Sequence, residues 1–230
     1  MNVLFDFFGT LVDYSHSRTE QGYERSFALL RRAGLRLDYA EFLALWSEVS
    51  AEFDGSAETS LREFSMSELT TEFLARALVP ANGALVGDFV RTYISEWNKG
   101  VVDIEGLPAL LGRLARRFTL AVVTNTHDRD LVPNHLERMG VAPLFRLVVT
   151  SVAHGSRKPA PEIFRYALST LSASPEESVY VGDNHDADYR GARSAGLRAF
   201  LIDPHKRASI PEGDRLDSIF AVEQRLGAFE

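Results

Sequence analysis

The feature that most constrains this chain is an alternation. Short β-branched or aromatic runs, NVLFDF from Asn2, FTLAVVT (118–124), FRLVVT (145–150), SVYVG (178–182) and RAFLI (198–202), take turns with helical patterns. Those patterns are GLPALLGRLARR (106–117), RDLVPNHLERMG (129–140), PEIFRYALSTL (161–171) and DADYRGARSAG (186–196). The runs are nearly continuous in apolar character, as parallel strands covered on both faces require. Gly140 and Gly196 stand where helix C-caps belong. Strand and helix in turn predict a doubly wound α/β layer.

Residues 15–98 break the alternation. Four stretches there, RSFALLRRAGL, YAEFLALWSEVSAEF, SMSELTTEFLARALV and ALVGDFVRTYISEW, all carry apolar residues at helical spacing. Phe42, Trp46, Phe53 and Phe73 fall on that period and are expected in a core. The insert leaves just after the first strand and returns before the second, as a cap hinged over a core would. The expected division is 1–14 with 99–230 as core and 15–98 as an all-helical cap, with linkers near Val12–Ser15 and Asn98–Glu105. The tail from Asp203 is richer in Pro, Gly and charge and turns helical near Ile219.

Composition removes several function classes. A net charge of −7 without a long basic run argues against a nucleic-acid surface, which needs clustered Lys and Arg. Zero cysteine excludes disulfides, thiolate metal sites and cysteine catalysis, and fits a reducing compartment. No stretch has the length of a membrane span, and the N-terminal apolar run is interrupted at once by an aspartate. A cytoplasmic protein acting on small molecules is expected.

Polar residues collect where strands end, which in an open parallel sheet is the binding crevice. Asp6 ends the first strand and Thr124-Asn125 the second; Lys158 follows the third, and Asp183 and Asp188 follow the fourth. Carboxylates converging in a small space need a cation between them, and an all-oxygen set suits Mg²⁺. Beside Mg²⁺ an aspartate can attack phosphorus and form an aspartyl phosphate. Asp6 is the candidate nucleophile, its apolar neighbours excluding water. Thr124 and Asn125 would donate to substrate oxygens, and Lys158 would supply a compact positive charge.

This ordered set resembles the haloacid dehalogenase (HAD) superfamily of hydrolases with a helical cap inserted after the first strand. Asp6 with GTL matches the first motif, Thr124 the second, Lys158 in RKPAPEIF the third and GDNHDAD the fourth. The resemblance implies a Rossmann-like core, with Mg²⁺ held by Asp6, the main-chain carbonyl of Phe8 and Asp183. It places Asp188 nearby, as a ligand through water or an orienting partner of Lys158.

One position departs from the phosphatase pattern. Phosphatases of the family carry an acid/base aspartate two residues after the nucleophile, where this chain has Phe8. The superfamily's metal-independent L-2-haloacid dehalogenases carry an aromatic residue there, but serine where this chain has Asp183. Three readings follow: a Mg²⁺-dependent phosphatase of a small phosphorylated metabolite, a haloacid dehalogenase, and a non-catalytic phosphate-binding or regulatory protein. Asp183 favours the first, because an aspartate at that place is electrostatically costly without metal. His185, inside the fourth motif, is the candidate replacement proton carrier.

Overall fold

The NVLF run becomes β1 (Asn2–Phe5), the strand around which a wholly parallel sheet is built. Its order is β5 (Phe145–Thr150), β4 (Thr119–Thr124), β1, β6 (Ser178–Gly182), β7 (Arg198–Ile202) and β8 (Arg215–Leu216). Leu4 pairs with Ala121 on one side and Tyr180 on the other, and all three are fully buried. Their continuous apolar character reflects this two-sided cover. The chain winds outward from β1 to β4 and β5, then returns to β6 on the other side of β1. That reversal opens the crevice at the strands' carboxyl ends.

This computed structural model describes residues 1–15, 17 and 20–227. The chain divides into two units, Met1–Asp13 with Asp103–Glu230, and Tyr14–Val102. Where it passes from one to the other, β2 (Val12–Tyr14) and β3 (Val101–Asp103) pair as a separate two-stranded sheet rather than running as loose linkers.

The sheet unit is covered by α5 (Leu107–Leu114), α6 (Leu131–Arg138), the short α7 (Ser151–His154), α8 (Pro161–Leu171), α9 (Gly191–Ser194) and α10 (Ala221–Gly227). Gly140 and Gly196 terminate their segments at φ of 70° and 90°, a conformation that costs a residue with a Cβ about 1–2 kcal/mol. The 186–196 pattern is not one α-helix: His185–Arg190 winds as a π-helical turn before α9. Asn184 caps it, accepting from the Asp186 and Ala187 amides. Its extra width coincides with Asp188 being fully buried. The sixth strand, β8, lies in the Pro- and Gly-rich tail, where periodicity offers no strand signal.

In the inserted unit the helices are α1 (Glu24–Arg32), α2 (Tyr39–Ser60), α3 (Met66–Arg76) and α4 (Gly83–Trp97). Asp38 with Glu41 and Ser65 with Glu68 form capping boxes at α2 and α3, and Asn82 caps α4. The first helix is capped from another element: Glu96 of α4, 1% exposed, accepts from Arg25 N (2.9 Å), Ser26 N (3.0 Å) and Ser26 Oγ (2.6 Å). Trp46 packs on Phe73, Phe89 and Tyr93 with centroids 5.3, 5.2 and 4.7 Å away, and Phe42 packs edge-on to Phe73. Full burial of each such ring stabilises by roughly 1.5–3 kcal/mol. Phe53 is only partly buried, against Phe64. No helix among the described residues is long and apolar enough to cross a membrane.

Candidate active site

Asp6 follows β1 directly, and its amide donates to Val181 O (2.9 Å), prolonging the ladder with β6. Asp6 is buried, 8% exposed. The chain must turn sharply here, and Leu11 N donates back to Phe7 O (2.8 Å). Gly9 sits in the turn at φ +80°, and a Cβ there would lie 2.3 Å from Asp183 Oδ2. Only glycine lets the first and fourth motifs approach this closely. Thr10 of the same turn donates to Asp183 Oδ1 at 3.4 Å.

Lys158, 3% exposed, occupies the centre. Its Nζ is 2.8 Å from Asp6 Oδ1, 2.6 Å from Asp188 Oδ1 and 2.8 Å from the Tyr180 hydroxyl. The Asp6 contact is charge pairing more than a directed hydrogen bond, since Asp6 Oδ1 has no well-aligned donor. The other Asp188 oxygen accepts from Asn184 N at 2.9 Å. Asp188 is thus engaged with Lys158, Tyr180 and the turn backbone. Asn125, expected to face a substrate, instead brackets the Lys158 main chain: its Nδ2 donates to Lys158 O (3.0 Å) and its Oδ1 accepts from Lys158 N (2.8 Å). Thr124 ends β4 with its Oγ1 buried and without a hydrogen-bond partner.

Oxygens of Asp6, Asp183 and Asp188 all lie within 4.8 Å of one another. Burial, together with the charges of Asp6 and Asp188, raises the Asp183 carboxyl from 3.8 to about 7. Asp188 is raised as well, by burial first and then by Asp6. With the carboxylates ionised and Lys158 protonated, the group carries −3 + 1 = −2. One dication balances that charge, and the all-oxygen donors suit Mg²⁺.

Phe8 is half-buried, its ring edge-on to Phe7 (5.0 Å) and to His135 (6.4 Å). The place two residues after Asp6 is therefore apolar. His185 stacks on Tyr189 (5.9 Å) and meets Asp186 (3.1 Å); neither contact ties it to Asp6. Sequence reasoning missed Tyr180, because an aromatic in SVYVG reads as ordinary strand filler. The one available signal was that β6 leads straight into the fourth motif.

The profile of the haloacid dehalogenase-like hydrolases matches residues 3–202. The chain is 43% identical over 105 residues to a phosphoserine phosphatase of Thermus thermophilus, covering 45% of this chain and 42% of that protein. It is 31% identical over 201 residues to a glyceraldehyde 3-phosphate phosphatase of Methanopyrus kandleri, covering 85% and 80%. It spans about half the length of several curated relatives. In fold it is similar to the crystal structure of a 2-haloacid dehalogenase from Pseudomonas syringae pv. Tomato DC3000. There the TM-score is 0.76 with 22% identity, over 99% of this chain and 98% of that one.

Proposed function

Because the chain belongs to the haloacid dehalogenase-like hydrolase family, we propose that it is a Mg²⁺-dependent phosphatase of a small phosphorylated metabolite, working through an aspartyl phosphate on Asp6. The observation that carries this reading is the convergence of three carboxylates within 4.8 Å of one another, with only Lys158 paired among them. A dication beside Asp6 is what a phosphate ester needs in order to approach a carboxylate. Relatives named as phosphatases support the same class.

The residues that would hold Mg²⁺ are Asp6, Asp183 and the main-chain carbonyl of Phe8, with Asp188 held back by Lys158. When bound, the ion neutralises repulsion between the attacking carboxylate and the anionic ester. A carboxylate oxygen of Asp6 attacks phosphorus, the ester P–O bond breaks, and the leaving oxygen departs with the bonding pair. Water then attacks the phosphorus of the acyl phosphate, which releases inorganic phosphate and restores the Asp6 carboxylate. Lys158, 2.8 Å from Asp6 Oδ1, holds the carboxylate in place. The unpartnered Thr124 hydroxyl is available to a non-bridging oxygen.

Phe8 sharpens the substrate class. With no carboxyl at that place to protonate a leaving alkoxide, turnover falls on esters whose leaving group needs no proton. A positioned general acid contributes about 10²–10⁴-fold. Displacement of halide from a 2-haloacid is the competing reading that Phe8 favours, but without a metal it brings a further anion to three converging carboxylates.

A panel of acyl, aryl and alkyl phosphates and 2-haloacids, assayed with and without Mg²⁺, tests the reading. Acyl phosphates and p-nitrophenyl phosphate should be hydrolysed with Mg²⁺ about 10²-fold or more faster than alkyl phosphates. Phe8→Asp should narrow that gap by improving alkyl esters. Halide release from 2-haloacids without metal, and no phosphate release, would assign dehalogenase chemistry instead.

A further inference from the structure

Lys158 has one acceptor that no motif accounts for, the hydroxyl of Tyr180. The tyrosine stands in β6 in register with Leu4 of β1 and is fully buried, its ring fixed edge-on by Phe164 at 5.1 Å. Its hydroxyl is 2.7 Å from Val123 O, 2.8 Å from Lys158 Nζ and 3.2 Å from Asp188 Oδ1. A phenol has one proton to give. The nearest acceptor is Val123 O, which lies just beyond the last β1–β4 pair, Phe5 with Val122. That carbonyl takes the proton, so a lone pair of the hydroxyl is left facing Lys158.

Three oxygens surround the ammonium: Asp188 Oδ1 and the Tyr180 hydroxyl accept hydrogen bonds from it, and Asp6 Oδ1 pairs with it by charge. Two of these oxygens are anionic and the third is neutral. The neutral one matters, because a third carboxylate would take the cluster from −2 to −3, more than one dication balances. A bare aromatic ring would take from Lys158 one of its two hydrogen-bond acceptors in the interior. We infer that Tyr180 is a positioning residue for Lys158: its hydroxyl, anchored on Val123 O, holds the ammonium against Asp6.

This rests on the phosphatase reading only for its kinetic consequence. The test is Tyr180→Phe, which removes one oxygen, with folding checked by circular dichroism. Hydrolysis of p-nitrophenyl phosphate with Mg²⁺ should lose about tenfold or more in kcat while KM stays within about twofold, since the hydroxyl is fully buried and engaged with Val123 O and Lys158. A kcat within twofold of wild type overturns the inference.

A second readout is independent of turnover. The chain has three lysines, Lys99, Lys158 and Lys206, of which only Lys158 is buried, so its ¹⁵N ammonium resonance is readily assigned. The resonance should be protected from solvent exchange in wild type and lose that protection in Tyr180→Phe. If wild type hydrolyses no phosphate ester, the functional reading fails, and Tyr180 is judged on this resonance alone: unchanged protection in the variant overturns its role. Should Tyr180→Phe not fold, wild type carrying 3-fluorotyrosine replaces it. A shifted Lys158 resonance supports the inference and an unmoved one refutes it.

Discussion

Each unit of this molecule buries acid, and the two do it in opposite ways. In the helical unit Glu96 is 1% exposed and takes three donors from the start of α1, with the helix dipole behind them. Its charge is fully answered by groups of the fold. In the sheet unit Asp6 and Asp188 share one ammonium, Asp183 lies within 4.8 Å of both without pairing to it, and Asp183 is pushed up to about 7. That charge is under-answered. The contrast separates a carboxylate that builds the fold from carboxylates that await something else, and it does so without reference to motif.

The largest expected effect tests the sheet side. Asp6→Asn keeps the shape but cannot attack, and hydrolysis of an activated phosphate should fall by about 10⁴-fold or more while the melting temperature does not drop. Residual turnover near the wild-type rate would mean that Asp6 is, like Glu96, merely structural.

The helical side should answer in the other currency. Glu96→Ala strips three donors of their acceptor and should lower unfolding stability by about 3 kcal/mol, read by urea titration, with kcat of the folded fraction unchanged. Full stability in this variant would mean that Glu96 does not build the fold.

The smallest effect concerns pH. An aspartate at about 7 folded and 3.8 unfolded makes the folded chain the stronger proton binder. The metal-free protein should therefore lose stability as pH rises from about 4 to about 7, and level off above. Millimolar Mg²⁺ should restore it above pH 7. Asp183→Asn should be more stable than wild type at pH 8 without metal, by about 1–2 kcal/mol, and should gain nothing from Mg²⁺. A pH-independent melting temperature in wild type would show that the carboxylates do not strain one another.

Much of this was legible in the chain. The five apolar runs became β1, β4, β5, β6 and β7, and the helical stretches became α1 to α4, because buried strands and amphipathic helices print their periods directly. Asp6, Thr124, Lys158 and Asp183 could be found because a parallel sheet brings strand ends together whatever their separation in sequence. What stayed hidden depends on single contacts. Asn125 looked like a substrate donor until its amide was seen bracketing Lys158, 33 residues away. Tyr180 and Glu96 reach partners on other elements that no local pattern announces. The π-helical turn differs from an α-helix by one residue in each hydrogen-bonded ring, which is too little for apolar spacing to resolve.

The placement of β1 also sets a clock. Its neighbours begin far along the chain, since Asn2 pairs with Thr119 on one side and with Ser178 on the other. At about 5–20 residues per second, a ribosome needs roughly nine to thirty-five seconds to make the second neighbour after the first strand has emerged. Throughout that interval Asp6 has neither Asp183 nor Asp188 beside it, and Lys158 has no Tyr180. Such non-local pairing slows folding as well. The cluster of Asp6, Lys158, Asp183 and Asp188 therefore assembles late and all at once, when β6 slots in beside β1, and a growing chain has no complete site before its sheet is closed.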